Sequence, residues 1–147
     1  MIRFKEIDEG NFRAVVNMKM PEGQRFVAPN AVSLAQAWLF RNKAGVHPYA
    51  LYDDGDVLVG FLMVDDDPEE RTFFIWRLMI ALEHQNKGYG TEAIKKALDM
   101  ARESGKYDRA ALDYVPENKV AEHVYKKLGF LPTGEIDDGE IVMRLDF

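Results

Sequence analysis

The sequence contains no cysteine. Disulfide bonds, thiolate metal sites and a cysteine nucleophile are therefore excluded, because each of them requires a cysteine sulfur. The three histidines, His47, His84 and His123, are too scattered along the chain to predict a metal site. We expect no metal ion in this protein.

Long apolar segments are also missing. The longest runs, Val57–Val64 and Phe73–Trp76 with its continuation to Leu82, fall short of the ~20 residues needed to cross a bilayer. The first residues have neither an apolar h-region nor a small-residue cleavage site, so we expect no secretory signal and a cytoplasmic location. With 25 acidic and 19 basic residues the net charge is −6, which opposes nucleic-acid binding and mildly favours a cationic partner. We expect neither a nucleic-acid nor a membrane partner.

The chain has 147 residues, of which 47% are hydrophobic and 30% are charged. This is the usual size of one domain with one substantial core. No stretch has low complexity or repeats at a fixed period. We therefore expect a single domain over residues 1–147.

Apolar periodicity and turn residues predict alternating strands and helices with hairpins early and late. The predicted strands are Arg3–Ile7, Pro48–Tyr52, Val57–Val64, Thr72–Leu82, Arg109–Val115, Thr133–Ile136 and Glu140–Leu145. The predicted helices are Asn11–Met20, a helix capped by Ser33 and ending near Gly45, Thr91–Ser104 and Lys119–Leu128. The polar segment Asp65–Arg71 is predicted to reverse the chain. The pattern indicates a mixed α/β fold.

A glycine-bearing loop leads from the apolar strand Leu78–Ile80 into a helix that begins near Thr91. The first turn of a helix has free N–H groups and a positive dipole end, so this loop is suited to hold a phosphate or diphosphate. Gly88 and Gly90 allow close approach of the backbone, and Lys87 can add a charge. A simple strand-to-helix turn remains an alternative on these residues alone. The loop matches neither a Walker loop nor the dinucleotide fingerprint.

Two motifs in this order resemble the GNAT superfamily of acyl-CoA-dependent N-acetyltransferases. They are Gln85-x-x-Gly88-x-Gly90 and Asn118-x-x-Ala121-x-x-Val124-Tyr125-x-x-Leu128-Gly129-Phe130. The resemblance extends from Val57 to the last residue. It implies a GNAT-like fold, with a central, mostly antiparallel twisted sheet, splayed central strands and helices on both faces. It also implies acetyl-CoA as cosubstrate.

The resemblance implies specific roles along the cofactor. The backbone of Leu78, Met79 and Ile80 would pair with the pantetheine arm. The diphosphate would be held by the loop and first helical turn, formed by Gln85, Asn86, Lys87, Gly88, Tyr89, Gly90 and Thr91.

Further roles concern the reacting group. The N–H of Ile80 would polarise the thioester carbonyl, Asn118 would contact the cofactor arm, and Tyr125 would lie near the sulfur. Lys126 and Lys127 would approach the distal phosphates.

These roles agree with elementary chemistry, because an amine that attacks a thioester develops an oxyanion and expels a thiolate. A backbone N–H stabilises the first and a phenol can protonate the second. Without cysteine, direct transfer is expected. On the residues alone, an aromatic filler of the core is the favoured interpretation of Tyr125.

The chain also resembles the polyamine branch of the superfamily, through Phe26–Asn30, Trp76–Ile80 and Thr133–Met143. Trp76 stands where related polyamine enzymes often have a carboxylate, so the general base is unassigned. Trp76 can hold an alkylammonium by cation–π attraction, and Glu22, Asp113 and Glu83 are candidate acidic contacts.

A polyamine or diamine such as spermidine or spermine is the first prediction for the acceptor. Aminoglycosides, amino-acid derivatives, protein N-termini and a catalytically silent acyl-CoA sensor remain open. The five acids of Asp65–Glu70 are read first as a solvated turn, and second as an attraction for polycations. The oligomeric state is open, with a homodimer as one arrangement.

Overall fold

A computed structural model describes residues 1–20, 28–43 and 45–147 of the chain. The strands are β1 (Arg3–Glu6), β2 (Val46–Tyr52), β3 (Leu58–Asp67), β4 (Thr72–Ile80), β5 (Arg109–Tyr114), β6 (Leu131–Asp137) and β7 (Glu140–Asp146). The helices are α1 (Phe12–Val16), α2 (Asn30–Leu39), α3 (Tyr89–Ser104) and α4 (Lys119–Lys127), with a 3₁₀ turn at Leu82–His84.

The strands form one sheet in the order β1-β2-β3-β4-β5-β7-β6. Neighbours are antiparallel except β4 and β5, which run parallel. The connection between β4 and β5 passes through α3, as a parallel pair requires a crossover. The predicted mixed α/β fold with a mostly antiparallel sheet is confirmed.

Helices cover both faces of the sheet, because alternate residues of the central strands point to opposite sides. On one side, Leu62 packs with Ile94 and Leu98 of α3 and with partly buried residues of α4. On the other, Phe61 packs with Val15 of α1 and with residues of α2. Each fully buried apolar side chain of this size contributes about 1.5–3 kcal/mol to folding. Both cores therefore hold the sheet between two helical layers.

The two central strands separate halfway along β4. β5 pairs with β4 only through the segment that ends at Ile75 and its partner Leu112, whereas β4 continues to Ile80. At the same point the pairing of β4 with β3 skips Trp76, which is a β-bulge. Because a bulge bends its strand and increases the local twist, β4 diverges from β5 beyond Ile75. The splayed central strands that the resemblance implied are therefore present.

The first two helices differ from the predicted ones. α1 ends at Val16 rather than Met20, because the Val15 carbonyl, which a longer helix would pair with the N–H of Lys19, accepts Nδ2 of Asn30 (2.9 Å). α2 begins at Asn30 after Pro29, so the predicted cap Ser33 was wrong.

Ser33 lies fully buried inside α2, and the carbonyl of Pro29 accepts its N–H (3.2 Å). The predicted end of this helix near Gly45 was also wrong, since α2 ends at Leu39. β3 extends to Asp67, because Asp65–Asp67 pair with the first residues of β4. The chain reversal is therefore shorter than predicted.

Gly60 is required by the close contact between β3 and β4. A Cβ atom at this position would lie 2.5 Å from the Met79 carbonyl oxygen and 2.9 Å from Cδ1 of Ile80. We expect Gly60→Ala to lower the free energy of unfolding by about 1–3 kcal/mol through overpacking. Urea denaturation would measure this. Gly55→Ala is the control, because its Cβ would meet no atom closer than 3.4 Å; equal midpoints for the two variants would contradict the prediction.

Candidate active site

The backbone of β4 faces the gap left by β5. Ala81 donates its N–H to the Val59 carbonyl (2.9 Å), and Gly60 lies opposite Ile80. Because hydrogen-bonded and non-hydrogen-bonded pairs alternate along an antiparallel ladder, the N–H and C=O groups of Leu78 and Ile80 point away from β3. They therefore point into the gap between β4 and β5.

The side chain of Gln85 forms a hydrogen bond with one of these backbone groups. Its Nε2 donates to the Ile80 carbonyl (3.0 Å), which ties the loop after β4 to the end of that strand. The N–H of Ile80 and both polar backbone groups of Leu78 are left facing the gap. This end of the gap therefore offers a hydrogen-bond donor in a fixed position.

The loop between β4 and α3 presents the N-terminus of a 16-residue helix. Gly88 precedes the helix with φ of 84°, a left-handed conformation that favours glycine. Glu92 donates its N–H to the Gly88 carbonyl (3.1 Å). The amides of Tyr89, Gly90 and Thr91 have no backbone or side-chain acceptor among the described residues. Free amides at the positive end of a helix suit an anion.

A first cleft, the loop cleft, has a volume of about 550 Å³ and lies between β4, this loop and the start of α4. Eleven residues predicted to contact the cofactor line it together: Leu78, Met79, Ile80, Gln85, Asn86, Gly88, Tyr89, Gly90, Thr91, Asn118 and Tyr125. Lys87 and Lys127 are outside its lining, and Lys119, which the sequence did not point to, is part of it.

A second cleft, the acidic cleft, has a volume of about 830 Å³ and lies between β4, the end of β5 and the hairpin of β6 and β7. It contains Trp76 and Asp113, as predicted, whereas Glu22 lies outside the described residues, as do Phe26 and Val27 of the polyamine-like segment. Arg77 and Glu140 also line it. Both residues lie in segments that carry the polyamine resemblance, Trp76–Ile80 and Thr133–Met143, but they were not predicted as site residues, because only the strand order β4-β5-β7 brings them close to Asp113.

Tyr125 lies where the two clefts meet, since it lines both of them together with Leu78 and Asn118. Its ring packs against Tyr114 and Phe130, with centroid distances of 6.0 and 6.2 Å. Burial, with the negative charges of nearby carboxylates, raises the pKa of Tyr125 to about 12. The phenol is therefore protonated at neutral pH.

Asn118 positions the helix that carries Tyr125. Its Oδ1 accepts the N–H of Ala121 (3.2 Å), which caps the N-terminus of α4. The same side chain reaches the lining of both clefts. Asn118 thus both caps α4 and forms part of the wall of the two clefts.

The acidic cleft is electrostatically unfavourable as it stands. Burial raises the pKa of Asp113 to about 6, and the charges of Glu140 and Asp137 add to this effect, while Arg77 opposes it. Burial also raises the pKa of Glu140. Carboxylates that are desolvated and close to one another disfavour their own ionisation. A bound cation would relieve both effects.

A family model described as the acetyltransferase (GNAT) family matches residues 12–130. The chain belongs to the GNAT family. The matched range runs from α1 to the residue before β6, so it includes the splayed strands, the loop and Tyr125.

Among curated proteins, this GNAT chain is similar to the L-2,4-diaminobutyric acid acetyltransferase of Shouchella clausii (strain KSM-K16). The two are 31% identical over 77 residues, which are 51% of this chain and 42% of the relative. The chain thus matches less than half of the length of that relative.

Among solved structures, it is similar to the spermidine N-acetyltransferase from Vibrio cholerae in complex with CoA and spermine. The TM-score is 0.74 at 18% identity, over 97% of this chain and 92% of that one. A chimera of the Vibrio cholerae enzyme and hSSAT gives a TM-score of 0.80 at 19% identity, over 99% and 95% of the two chains. At this identity the likeness establishes the GNAT fold.

Two further findings concern the described part of the chain. None of its helices is long and apolar enough to span a membrane. Residues 1–20, 28–43 and 45–147 contain no group of three or more His, Asp or Glu side chains arranged to hold a metal ion.

We predict that Asp113→Asn stabilises the protein at pH 7.5. Folding raises the pKa of Asp113 from its ordinary value of 3.8 to about 6. The ionised carboxylate is therefore less favourable in the folded state than in the unfolded state. At full strength this rise corresponds to roughly 3 kcal/mol, and partial exposure reduces it to about 1–2 kcal/mol. The gain should be complete above about pH 7 and should be lost as the pH falls through 6 to about 3, where the carboxyl is protonated in both states.

Urea denaturation at pH 3.5, 6 and 7.5 would measure this gain. Asp56→Asn is the matched control with the opposite sign, because hydrogen bonds from Arg3 and Lys5 lower the pKa of Asp56. A loss of stability in Asp113→Asn at pH 7.5 would contradict the electrostatic account of the cleft.

Proposed function

We propose that this GNAT protein transfers the acetyl group of acetyl-CoA directly to a primary amine of a small molecule that carries at least two amino groups. A polyamine or diamine, such as spermidine or spermine, is the first candidate. Residues 1–147 act as one catalytic domain. The observation that carries the proposal is that two clefts of different chemistry meet at Leu78, Asn118 and Tyr125.

The loop cleft fits coenzyme A in chemistry. The diphosphate would be bound by the free amides of Tyr89, Gly90 and Thr91, with the open left-handed turn at Gly88 beside them. Lys87, Lys119 and Lys127 are candidates for the remaining phosphate charge. The gap-facing backbone of Leu78 and Ile80 matches the amide groups of a pantetheine arm. Bound there, acetyl-CoA supplies an activated thioester.

The chain itself supplies two groups for the transfer. In the reaction a C–N bond forms and the C–S bond breaks; the amine releases its proton to solvent water, and solvent returns a proton to Tyr125 after this residue has protonated the thiolate. The fixed N–H of Ile80 stabilises the negative charge on the carbonyl oxygen. Tyr125 donates a proton to the departing thiolate. A phenol with a pKa of about 12 is a weak donor, but a cation bound in the acidic cleft offsets the carboxylates that help to raise this pKa.

The acidic cleft accepts the amine. Asp113 and Glu140 provide negative charge next to Tyr125, since both raise its pKa. Trp76 provides an apolar wall for the alkyl chain, and one side of its ring already carries the guanidinium of Arg77 at 4.8 Å. We therefore expect the carboxylates of Asp113 and Glu140, rather than the Trp76 ring, to bind the ammonium group of the acceptor.

The names of the similar proteins agree with an acceptor that has more than one amino group. Diaminobutyric acid carries two, and the neighbours in structure are spermidine acetyltransferases. A cytoplasmic location and a homodimer stay predictions from the sequence.

We expect thiol release when the protein is mixed with acetyl-CoA and a diamine or polyamine, measured with a thiol reagent. The panel includes aminoglycosides and peptides as rival acceptors, and calorimetry measures coenzyme A binding in parallel. Binding at micromolar coenzyme A without thiol release from any acceptor would favour an acyl-CoA sensor. The absence of binding at millimolar concentration would overturn the proposal as a whole.

We expect Tyr125→Phe to lower kcat about 100-fold or more, because the thiolate loses its proton donor. The KM for acetyl-CoA should change little. Tyr52→Phe is the control, since it removes the hydroxyl of a tyrosine that lines neither cleft. If Tyr125→Phe and Tyr52→Phe transfer acetyl at the same rate with the same pH profile, Tyr125 is not the acid.

A further inference from the structure

The acidic cleft contains one arginine whose hydrogen bonds go only to neutral groups. In Arg77, Nη1 donates to the Trp76 carbonyl and Nη2 donates to Oε1 of Gln36, both at 3.3 Å. Nε is buried and has no hydrogen-bond partner in the described part of the chain. The guanidinium also lies against the Trp76 ring. Stacking and two long hydrogen bonds hold it in one orientation.

No carboxylate of the described residues forms an ion pair with Arg77. Burial lowers the pKa of Arg77, and the charges of Glu140 and Asp113 offset only part of this decrease. A half-buried charge without a direct counter-ion is unfavourable. The cleft thus has a cationic position at Arg77 that is separate from the anionic position at Asp113 and Glu140.

A simpler role for Arg77 is to reduce the repulsion between these carboxylates. Direct contact would serve that role best, yet the guanidinium is held toward Gln36 and the backbone of Trp76. A planar guanidinium is suited to bidentate binding of a carboxylate. The arrangement favours an acceptor that brings its own anionic group.

We propose that the amine acceptor also carries a carboxylate and that Arg77 binds it. Asp113 and Glu140 then bind the amino groups, so the substrate class is a diamino acid. This rests on the proposed function, because the acidic cleft is taken as the acceptor site, and within the class of molecules with at least two amino groups it places diamino acids ahead of polyamines and plain diamines. The charge separation in the cleft selects a molecule with both signs over a diamine that has only positive charges.

Pairs of acceptors that differ by one carboxylate test this proposal. Ornithine is compared with 1,4-diaminobutane, and 2,4-diaminobutyrate is compared with 1,3-diaminopropane, in the thiol-release assay. We expect kcat/KM to be at least about 10-fold higher for the diamino acid in at least one pair, because charged hydrogen bonds would be lost with the carboxylate. Equal or better acetylation of the plain diamine in both pairs would overturn the proposal and leave the proposed function in place.

Substitution of Arg77 shows whether this residue is responsible. Arg77→Gln should raise the KM for the diamino acid about 10- to 100-fold with little change in kcat, so that the ratio of kcat/KM for the diamino acid to that for the diamine falls. Arg77→Lys keeps the charge but not the planar group. Its KM for the diamino acid should lie between those of the parent protein and Arg77→Gln. Arg41→Gln is the matched control, because Arg41 also lies against a tryptophan ring and donates to that residue's carbonyl, at Trp38 (2.9 Å). Arg41→Gln should leave the preference for the diamino acid over the diamine unchanged.

Two other outcomes are decisive. If both acceptors lose activity equally in Arg77→Gln and Arg77→Lys, Arg77 has a structural role and the proposal is overturned. If no acceptor releases thiol, the proposed function fails, and calorimetry with ornithine and 1,4-diaminobutane then tests the binding site by itself. Tighter binding of ornithine to the parent, lost in Arg77→Gln, supports the carboxylate site; equal binding of the two acceptors overturns it.

Discussion

Loss of pairing between β4 and β5 after Ile75 exposes one edge of a central strand inside the molecule. A strand in the middle of a sheet normally satisfies its backbone groups on both sides, and unpaired buried groups are unfavourable. The bulge at Trp76 bends β4 at the same position, and α3 begins just beyond the strand. The open backbone edge and the free amides of α3 therefore lie along one cleft. Every role proposed for the cofactor depends on this separation of two strands.

The carboxylates of the acidic cleft destabilise the folded protein. Asp113 and Glu140 are partly desolvated, and their pKa values are raised, so each is less favourable in the folded state than in water. Arg77 reduces this effect without forming an ion pair with either. Charges in such an arrangement are suited to bind a substrate and do little to hold the fold. Stability comes from the two apolar cores on either side of the sheet.

Elements whose structure depends on residues close together in the sequence could be predicted from the sequence. The loop from Gln85 to Thr91 combines glycines with a strand before it and a helix after it, so its geometry is local. Arg77, Asp113 and Glu140 could not be placed together, because they are far apart along the chain and meet only through the order of β4, β5 and β7. The end of α1 depends on a tertiary hydrogen bond from Asn30 Nδ2 to the Val15 carbonyl. The bulge at Trp76 likewise depends on pairing with β3.

The cap that Asn118 forms on α4 also affects the dynamics of the site. None of the nine residues of α4, all of which are described, is fully buried, whereas five residues of α3 are, so α4 is expected to open more readily than α3 by local unfolding. Each opening would carry Tyr125 away from the junction of the clefts. A ligand that contacts both Asn118 and Tyr125 would hold the helix closed, and its amide protons would then exchange more slowly with solvent.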